Sequence, residues 1–335
     1  MMVRLRVLAS GAAATLALLV GTLSVVGAAP VDNVRVMFQP FAGSGPLFVA
    51  EKEGYFERQG LKVTWVPFNT QDQAIPVLAQ GQLDVAFGLT PAFFNVVARG
   101  EPLRIVADRG HVTRGNNGSL LVRKELAGVV RSVADLKGRR IALAGSFGGP
   151  AHYWLVRALA SVGLTFDQVS AVFIPVTAIL AALQSGAVDA GFMANPLDTL
   201  AQEKGIAFKL LDVADIVPAE HTSFLTYGRT LVVGNRPLGV RVMVAYLQGI
   251  RRYSEGATPR NVAIIAEYTK TDPETIRKGG WVSIHPDGYV DLNRTRRYQD
   301  WLYEIELISV RSPMSALLDL YFVEQARAIL GIPPR

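Results

Sequence analysis

The chain has 335 residues, half of them hydrophobic and 19% charged, which is room for two ordinary domains and excludes global disorder. Its net charge of +6 is diffuse, with basic clusters no longer than pairs such as Arg139-Arg140, Arg251-Arg252 and Arg296-Arg297, a pattern that argues against nucleic-acid binding. It has no cysteine, so disulfides, thiolate metal sites, cysteine nucleophiles and a lipid-modified cysteine are excluded.

The first thirty residues stand apart. A short basic start, MMVRLR, precedes the uncharged apolar run VLASGAAATLALLVGTLSVV and the small residues GAAP. This is the three-part pattern of a secretory signal peptide over residues 1–29, with cleavage after Ala28 or Ala29; a single membrane anchor is the competing reading. Arg4 and Arg6 are not adjacent, which does not support a twin-arginine signal. An exported chain with no lipid anchor is expected to be free in the periplasm.

Strand and helix then alternate. NVRVMF (33–38) reads as a buried strand followed by the glycine loop QPFAGSGP, and 46–60 as a helix stopped at Gly60. LKVTWVPF (61–68) alternates as a strand, 70–81 is a helix with a Gly stop, LDVAFG (83–88) a strand, 91–100 a helix with Pro91 in its first turn, and PLRIVAD (102–108) a strand. The order predicts an α/β layer architecture with a mostly parallel sheet. Residues 132–164 restart the pattern as helix, strand, glycine loop and helix; a strand (169–175), a helix (177–186) and a strand (188–193) follow. An offset of 105 superposes Gly81 on Gly186, Asp84 on Asp189, Phe87 on Phe192, Pro91 on Pro196, Val36 on Ile141 and Gly43 on Gly148. That repeat predicts two similar α/β lobes with a ligand cleft between them. The last third reads as a strand (226–234) and then helices at 235–256, 259–270, 292–308 and 321–330, packed on lobe one. The expected division is lobe one over 30–112, lobe two over 113–222, and a return to lobe one over 223–335.

In open α/β sheets the ligand lies beyond the carboxyl ends of the strands. The loops expected there carry Phe41, Gly43, Ser44, Gln71 and Thr90 in lobe one, and Ser146, Phe147, Gly148, Thr177 and Asn195 in lobe two. Each precedes a helix, where free N–H groups and partial positive charge attract anions; helix capping alone explains any single one of them. Phe41 and Phe147, in matched glycine loops, are candidates to sandwich a ligand body. Asp84 and Asp189 read as turn residues entering buried strands rather than as catalytic acids.

Enzymatic signals are thin. AGSFG (144–148) sits between a strand and a helix as a nucleophile elbow does, but Ala144 replaces the motif's first glycine. His111, His152, His221 and His285 are dispersed without H-E-x-x-H, and there is no phosphate loop and no complete dinucleotide fingerprint. The reading assigns no catalytic residue, no metal and no cofactor.

PLFVAEKEGYFERQGLKV, LAQGQLDVAFG, LQSGAVDAGFMANP and PDGYVDLNRTRRYQDWL together resemble the periplasmic solute-binding proteins of ABC importers, in the branch that binds nitrate, sulfonates, taurine and thiamine-pyrimidine precursors. The resemblance implies a two-lobed type II binding fold, a monomer that closes by a hinge on a small-molecule ligand and delivers it to an ABC permease in the inner membrane. A sulfonate- or carboxylate-like anion is the favoured ligand. A neutral pyrimidine-like heterocycle is the second reading, and an exported enzyme on the same fold, such as a hydrolase using Ser146, the third. Sulfonate binders of the branch hold their anion at helix N-termini and with polar loop side chains, which Ser44, Thr90 and Ser146 suit. Arg109, His111 and Arg114, near the first crossing, could add charge; the sequence leaves open whether they face the cleft.

Overall fold

A computed structural model describes residues 31–40, 42–115, 118–194, 196–279 and 281–333. The expected signal segment, Phe41 and Asn195 lie outside the described residues.

The first lobe begins with β1 (Asp32–Phe38), whose end passes through a 3₁₀ turn (Ala42–Ser44) into α1 (Gly45–Lys52). The single helix expected over 46–60 is two, because Gly54 takes φ +69 and restarts the chain as α2 (Tyr55–Arg58). There follow β2 (Leu61–Pro67), α3 (Gln71–Ala79), β3 (Val85–Gly88), α4 (Pro91–Ala98) and β4 (Arg104–His111). The second lobe holds β5 (Ser119–Arg123), β6 (Arg140–Ala144), α5 (Pro150–Ala160), β7 (Ser170–Ile174), α6 (Val176–Gln184), β8 (Ala190–Met193), α7 (Leu197–Glu203) and β9 (Ala207–Asp212). The helix expected just before β6 is a 3₁₀ turn at Val133–Leu136.

The chain then crosses back as β10 (His221–Tyr227). The expected strand over 226–234 is corrected here. Its Thr230–Gly234 segment, with β-branched Thr230, Val232 and Val233, coils into a π-helical turn, since Gly228 donates to Asp84 O at 3.0 Å and its carbonyl takes the N–H of Leu231 and Val232. A Cβ at Gly228 would lie 2.9 Å from Leu78 O, so tertiary packing overrides strand propensity at this point. Last come α8 (Arg236–Tyr253), α9 (Pro259–Thr269), α10 (Pro273–Lys278), α11 (Leu292–Glu304), α12 (Met314–Leu317) and α13 (Tyr321–Ile329).

Two five-stranded sheets result, ordered β2-β1-β3-β10-β4 and β7-β6-β8-β5-β9. In each, one strand runs against the other four: β10 in the first sheet and β5 in the second, the two strands delivered by the crossings. The repeat extends to side chains. Asp84 accepts from Arg35 N at 2.8 Å, Nε at 3.0 Å and Nη2 at 2.6 Å, while Arg35 Nη2 also reaches Gly81 O. Asp189 does the same with Arg140, 105 residues on, and Arg140 reaches Gly186 O. Both glycines sit at φ +71, so each acid locks a helix-to-strand turn at the strand end away from the cleft.

The C-terminal helices clad the first lobe, with α8 between α1 and α13. Helix α8 buries Leu238, Val242, Met243, Tyr246, Leu247, Ile250 and Tyr253 on one stripe, each contributing roughly 1.5–3 kcal/mol on burial. Two helices also reach the second lobe: Lys278 of α10 pairs with Glu203 at 2.7 Å, and Trp301 of α11 packs on His152 and Tyr153. No helix among the described residues is long and apolar enough to cross a membrane.

Candidate ligand-binding cleft

Strands β1, β3 and β4 run the same way, so the loops after them share one edge of the first sheet. That edge carries a buried cation. Arg109, near the end of β4, is 2% exposed. Its Nη2 donates to Ser44 Oγ at 2.8 Å and its Nη1 to Ser223 Oγ at 3.0 Å, and its guanidinium carbon stands 3.6 Å from the centroid of the Phe87 ring. Ser44 in turn donates to Gln39 O at 3.1 Å, which ties the turn before α1 to the end of β1. Burial pulls the Arg109 pKa down to about 10, the neighbouring Asp108 charge opposing the fall, so the side chain stays protonated at neutral pH. A desolvated positive charge favours an incoming anion.

Two buried acceptors at the same edge have no hydrogen-bond partner among the described residues: Gln39 Oε1, just beyond β1, and Thr90 Oγ1, just beyond β3. Thr90 precedes the first turn of α4 with extended backbone, yet its hydroxyl caps no helix N–H, so simple capping does not explain it. Buried polar atoms are rarely left unsatisfied, and two of them follow strands that end at the edge where Arg109 is buried.

The other expected site residues divide. Gln71 opens α3, and its Oε1 accepts from Leu89 N at 3.3 Å while its side chain lies over Gly88. Gly43 lies in the turn leading to α1. In the second lobe Ser146, Phe147 and Gly148 form the loop after β6, and Gly148 N donates to His152 Nδ1 at 2.9 Å. Phe147 is 46% exposed and turns toward its own lobe, with ring centroids 4.3 Å from His152, 5.9 Å from Phe166 and 5.8 Å from Phe173. Thr177 is exposed in the first turn of α6. Burial lowers the His152 pKa to about 4, and its Nδ1 is occupied by a backbone donor; among the described residues no histidine is hydrogen-bonded to Ser146, which an elbow nucleophile needs.

Of the three residues near the first crossing, only Arg109 reaches a strand-end loop of the first sheet, at Ser44. Arg114 is exposed and pairs with Asp215. His111 belongs to a hub around the buried carboxylate of Asp108, which accepts from Gly110 N at 3.0 Å, His285 N at 2.8 Å, and the Nδ1 atoms of His111 and His221 at 3.1 Å each. Burial alone would raise the Asp108 pKa, but the histidine contacts and the His285 N–H hold it well below the usual carboxylate range. Asp108, His111 and His285 bring possible metal-ligand atoms within 4.8 Å of one another. However, the two imidazoles are stacked 4.1 Å apart at 15°, so their in-plane lone pairs run nearly parallel and cannot converge on an ion at about 2.0–2.1 Å. The hub lies where the lobes join: His221 pairs with His111 across β10 and β4, and Val112 and residues 219–220 exchange backbone bonds. A separate depression of about 460 Å³ lies between Tyr153 and Arg157 of α5, Val217 and Glu220 of the second crossing, and Arg297 and Trp301 of α11.

Sequence reasoning passed over Gln39, Ser223 and Phe87. Gln39 directly follows an apolar strand, a visible signal; Ser223 and Phe87 become site residues only through sheet pairing.

Comparison with known proteins agrees with this architecture. The chain is 29% identical over 175 residues to the taurine-binding periplasmic protein of Escherichia coli (strain K12), covering 52% of this chain and 51% of that one. It is 26% identical over 200 residues to a protein of the same organism described as an aliphatic sulfonates-binding protein, covering 59% and 60%. The chain thus spans a half to three fifths of the length of these curated relatives. The alkanesulfonate-binding protein SsuA from Xanthomonas axonopodis pv. citri, bound to MOPS, superposes with a TM-score of 0.70 at 23% identity, over 87% of this chain and 99% of that one, which shows the type II periplasmic binding fold. The NMT1/THI5 like family model matches residues 42–254, well over half of the chain, and the protein belongs to that family.

Proposed function

We infer that the protein is the extracytoplasmic substrate-binding component of an ABC import system, a monomer that captures a small organic anion between its lobes and presents the closed form to a permease in the inner membrane. The observation that carries the reading is the edge of the first sheet, which holds the buried Arg109 cation and, beyond β1 and β3, the unpartnered Gln39 Oε1 and Thr90 Oγ1. Arg109 suits a sulfonate or carboxylate, whose charge would exchange one hydrated state for several charge-assisted hydrogen bonds. Gln39 Oε1 is an acceptor and calls for a ligand donor; the Thr90 hydroxyl serves either way. Ser146, Gly148, Thr177 and Asn195 would meet the ligand from the second lobe, with Phe41 toward its organic body, while Phe147 stays packed in its own lobe. Ligand would stabilise the closed state through its contacts with both lobes at once.

Family membership and the names of the two curated relatives support transport over catalysis. A cleaved signal over residues 1–29 and a periplasmic location complete the reading, with lobe boundaries near residues 112 and 222. The decisive experiment is native mass spectrometry of the purified protein, followed by thermal shift against alkanesulfonates, arylsulfonates, taurine, nitrate, carboxylates and a neutral aminopyrimidine. Ligand at a hundred times its Kd adds about 2.7 kcal/mol of stability. A response confined to the neutral pyrimidine would replace the anion reading; turnover of a ligand would replace the receptor reading.

A further inference from the structure

Helix α11 touches the hinge at one end and both cleft rims at the other. At its start Asp291 donates its backbone N–H to His221 Nε2 at 2.9 Å, and His221 Nδ1 reaches the Asp108 hub. One turn on, Arg294 donates to Ala219 O and Arg297 pairs with Glu220 at 2.6 Å. The helix is therefore fixed along residues 219–221, the second crossing. Ala219 is itself held at φ +63, a left-handed conformation that alanine disfavours, with its N–H on Val112 O and its carbonyl under Arg294.

Further along, the buried hydroxyl of Tyr298 meets two carbonyls: Leu89 O of the first lobe at 3.2 Å and Gly148 O of the second. One proton is shared between acceptors that belong to different lobes. Trp301 packs 4.9 Å from Tyr153 and 5.3 Å from His152 on α5, while the Tyr298 ring lies 6.0 Å from Phe94 on α4. Gly148 fills the seam: a Cβ there would stand 2.4 Å from Leu307 Cδ1 and 2.5 Å from Pro91 Cγ. A helix that merely clad the first lobe would have no reason to set its hydroxyl between carbonyls of both.

We propose that α11 is a closure strap, anchored to the second crossing, which draws the Leu89–Pro91 rim and the Gly148 rim together through Tyr298 and Trp301 and so sets how closed the cleft stands before ligand arrives. The consequence is energetic. Apparent affinity scales with the fraction of molecules already in the binding-competent form, so a strap tunes affinity without touching ligand.

The inference concerns lobe motion and holds whichever ligand binds. Its test is ligand-free single-molecule energy transfer. Because the natural sequence has no cysteine, Lys62→Cys on β2 and Lys124→Cys in the second lobe provide the only two labelling sites. Tyr298→Phe keeps the ring and removes the shared donor; the ratio of closed to open molecules should fall about fivefold, the equivalent of one hydrogen bond. Gly148→Ala, which needs no change in α11, should shift the population the same way by wedging the rims apart. A closed-to-open ratio unchanged in both variants, with both folded by circular dichroism, overturns the strap.

Discussion

Replacing Arg109 by Met separates binding from folding. The guanidinium is buried, its bonds to Ser44 and Ser223 run to neutral hydroxyls, and burial already lowers its pKa to about 10. Methionine keeps much of the volume over Phe87 and removes a charge that burial makes costly, which offsets part of the loss of its hydrogen bonds. The Ser44 and Ser223 hydroxyls can rotate, and Ser44 already donates to Gln39 O. Ligand-free stability should therefore stay within about 2 kcal/mol of the parent. Binding should not survive. Two charge-assisted bonds to a sulfonate at about 1.5–3 kcal/mol each amount to about 3–6 kcal/mol, or roughly 10²- to 10⁴-fold in Kd. Isothermal titration with the best sulfonate from the ligand screen gives Kd, and urea unfolding gives stability. Arg109→Lys should recover charge but not the forked geometry, and fall between the two. An Arg109→Met protein that binds the sulfonate as tightly as the parent would refute the placement of the anion.

Thr90→Val should leave the ligand-free melting temperature equal or slightly higher, because the hydroxyl it removes has no partner, while weakening ligand binding by about tenfold; thermal shift with and without ligand reads both. Asp84→Ala should cost about 3–4 kcal/mol and Asp189→Ala clearly less in urea unfolding. The Asp84 bonds to Arg35 span 2.6–3.0 Å, whereas Asp189 bonds the more exposed Arg140 at 3.0–3.3 Å. Burial raises the Asp198 pKa to about 6. A carboxyl raised above its unfolded value is most favourable to folding below about pH 4 and loses that contribution as pH rises through 6. Asp198→Asn should therefore match the parent at pH 4 and exceed it at pH 8 by about 2–3 kcal/mol; a constant difference across that range would contradict the assignment. Asp108 has the opposite sign: its depressed pKa gives stability that is present above about pH 4 and lost in stronger acid, so Asp108→Asn should flatten the acid limb of a melting-temperature profile.

The lobes, their repeat and the cleft are legible in the chain because they rest on local rules. Alternating apolar runs, Gly stops after helices and Pro in first turns are each set by residues a few positions apart, and the 105-residue offset copies them wholesale. The same copy carries Arg35–Asp84 into Arg140–Asp189, which explains why an acid appears twice at the start of a buried strand. Strands β5 and β9 escaped notice because their pairing partners lie far along the chain. The TLVVG segment reads as a strand locally, yet it coils because Gly228 is pinned between Leu78 and Asp84.

The site follows the same division. Ser44 and Thr90 could be named from the sequence because the ends of parallel strands are predictable from strand order. That Arg109 reaches Ser44 while His111 joins the Asp108 hub and Arg114 pairs at the surface was decided by the pairing of β4 with β10 and the bulges in that ladder. Three polar side chains within six residues thus acquire three different sets of partners. A side chain's chemical type is written in the chain, but its desolvation and its partners exist only once distant strands are brought together.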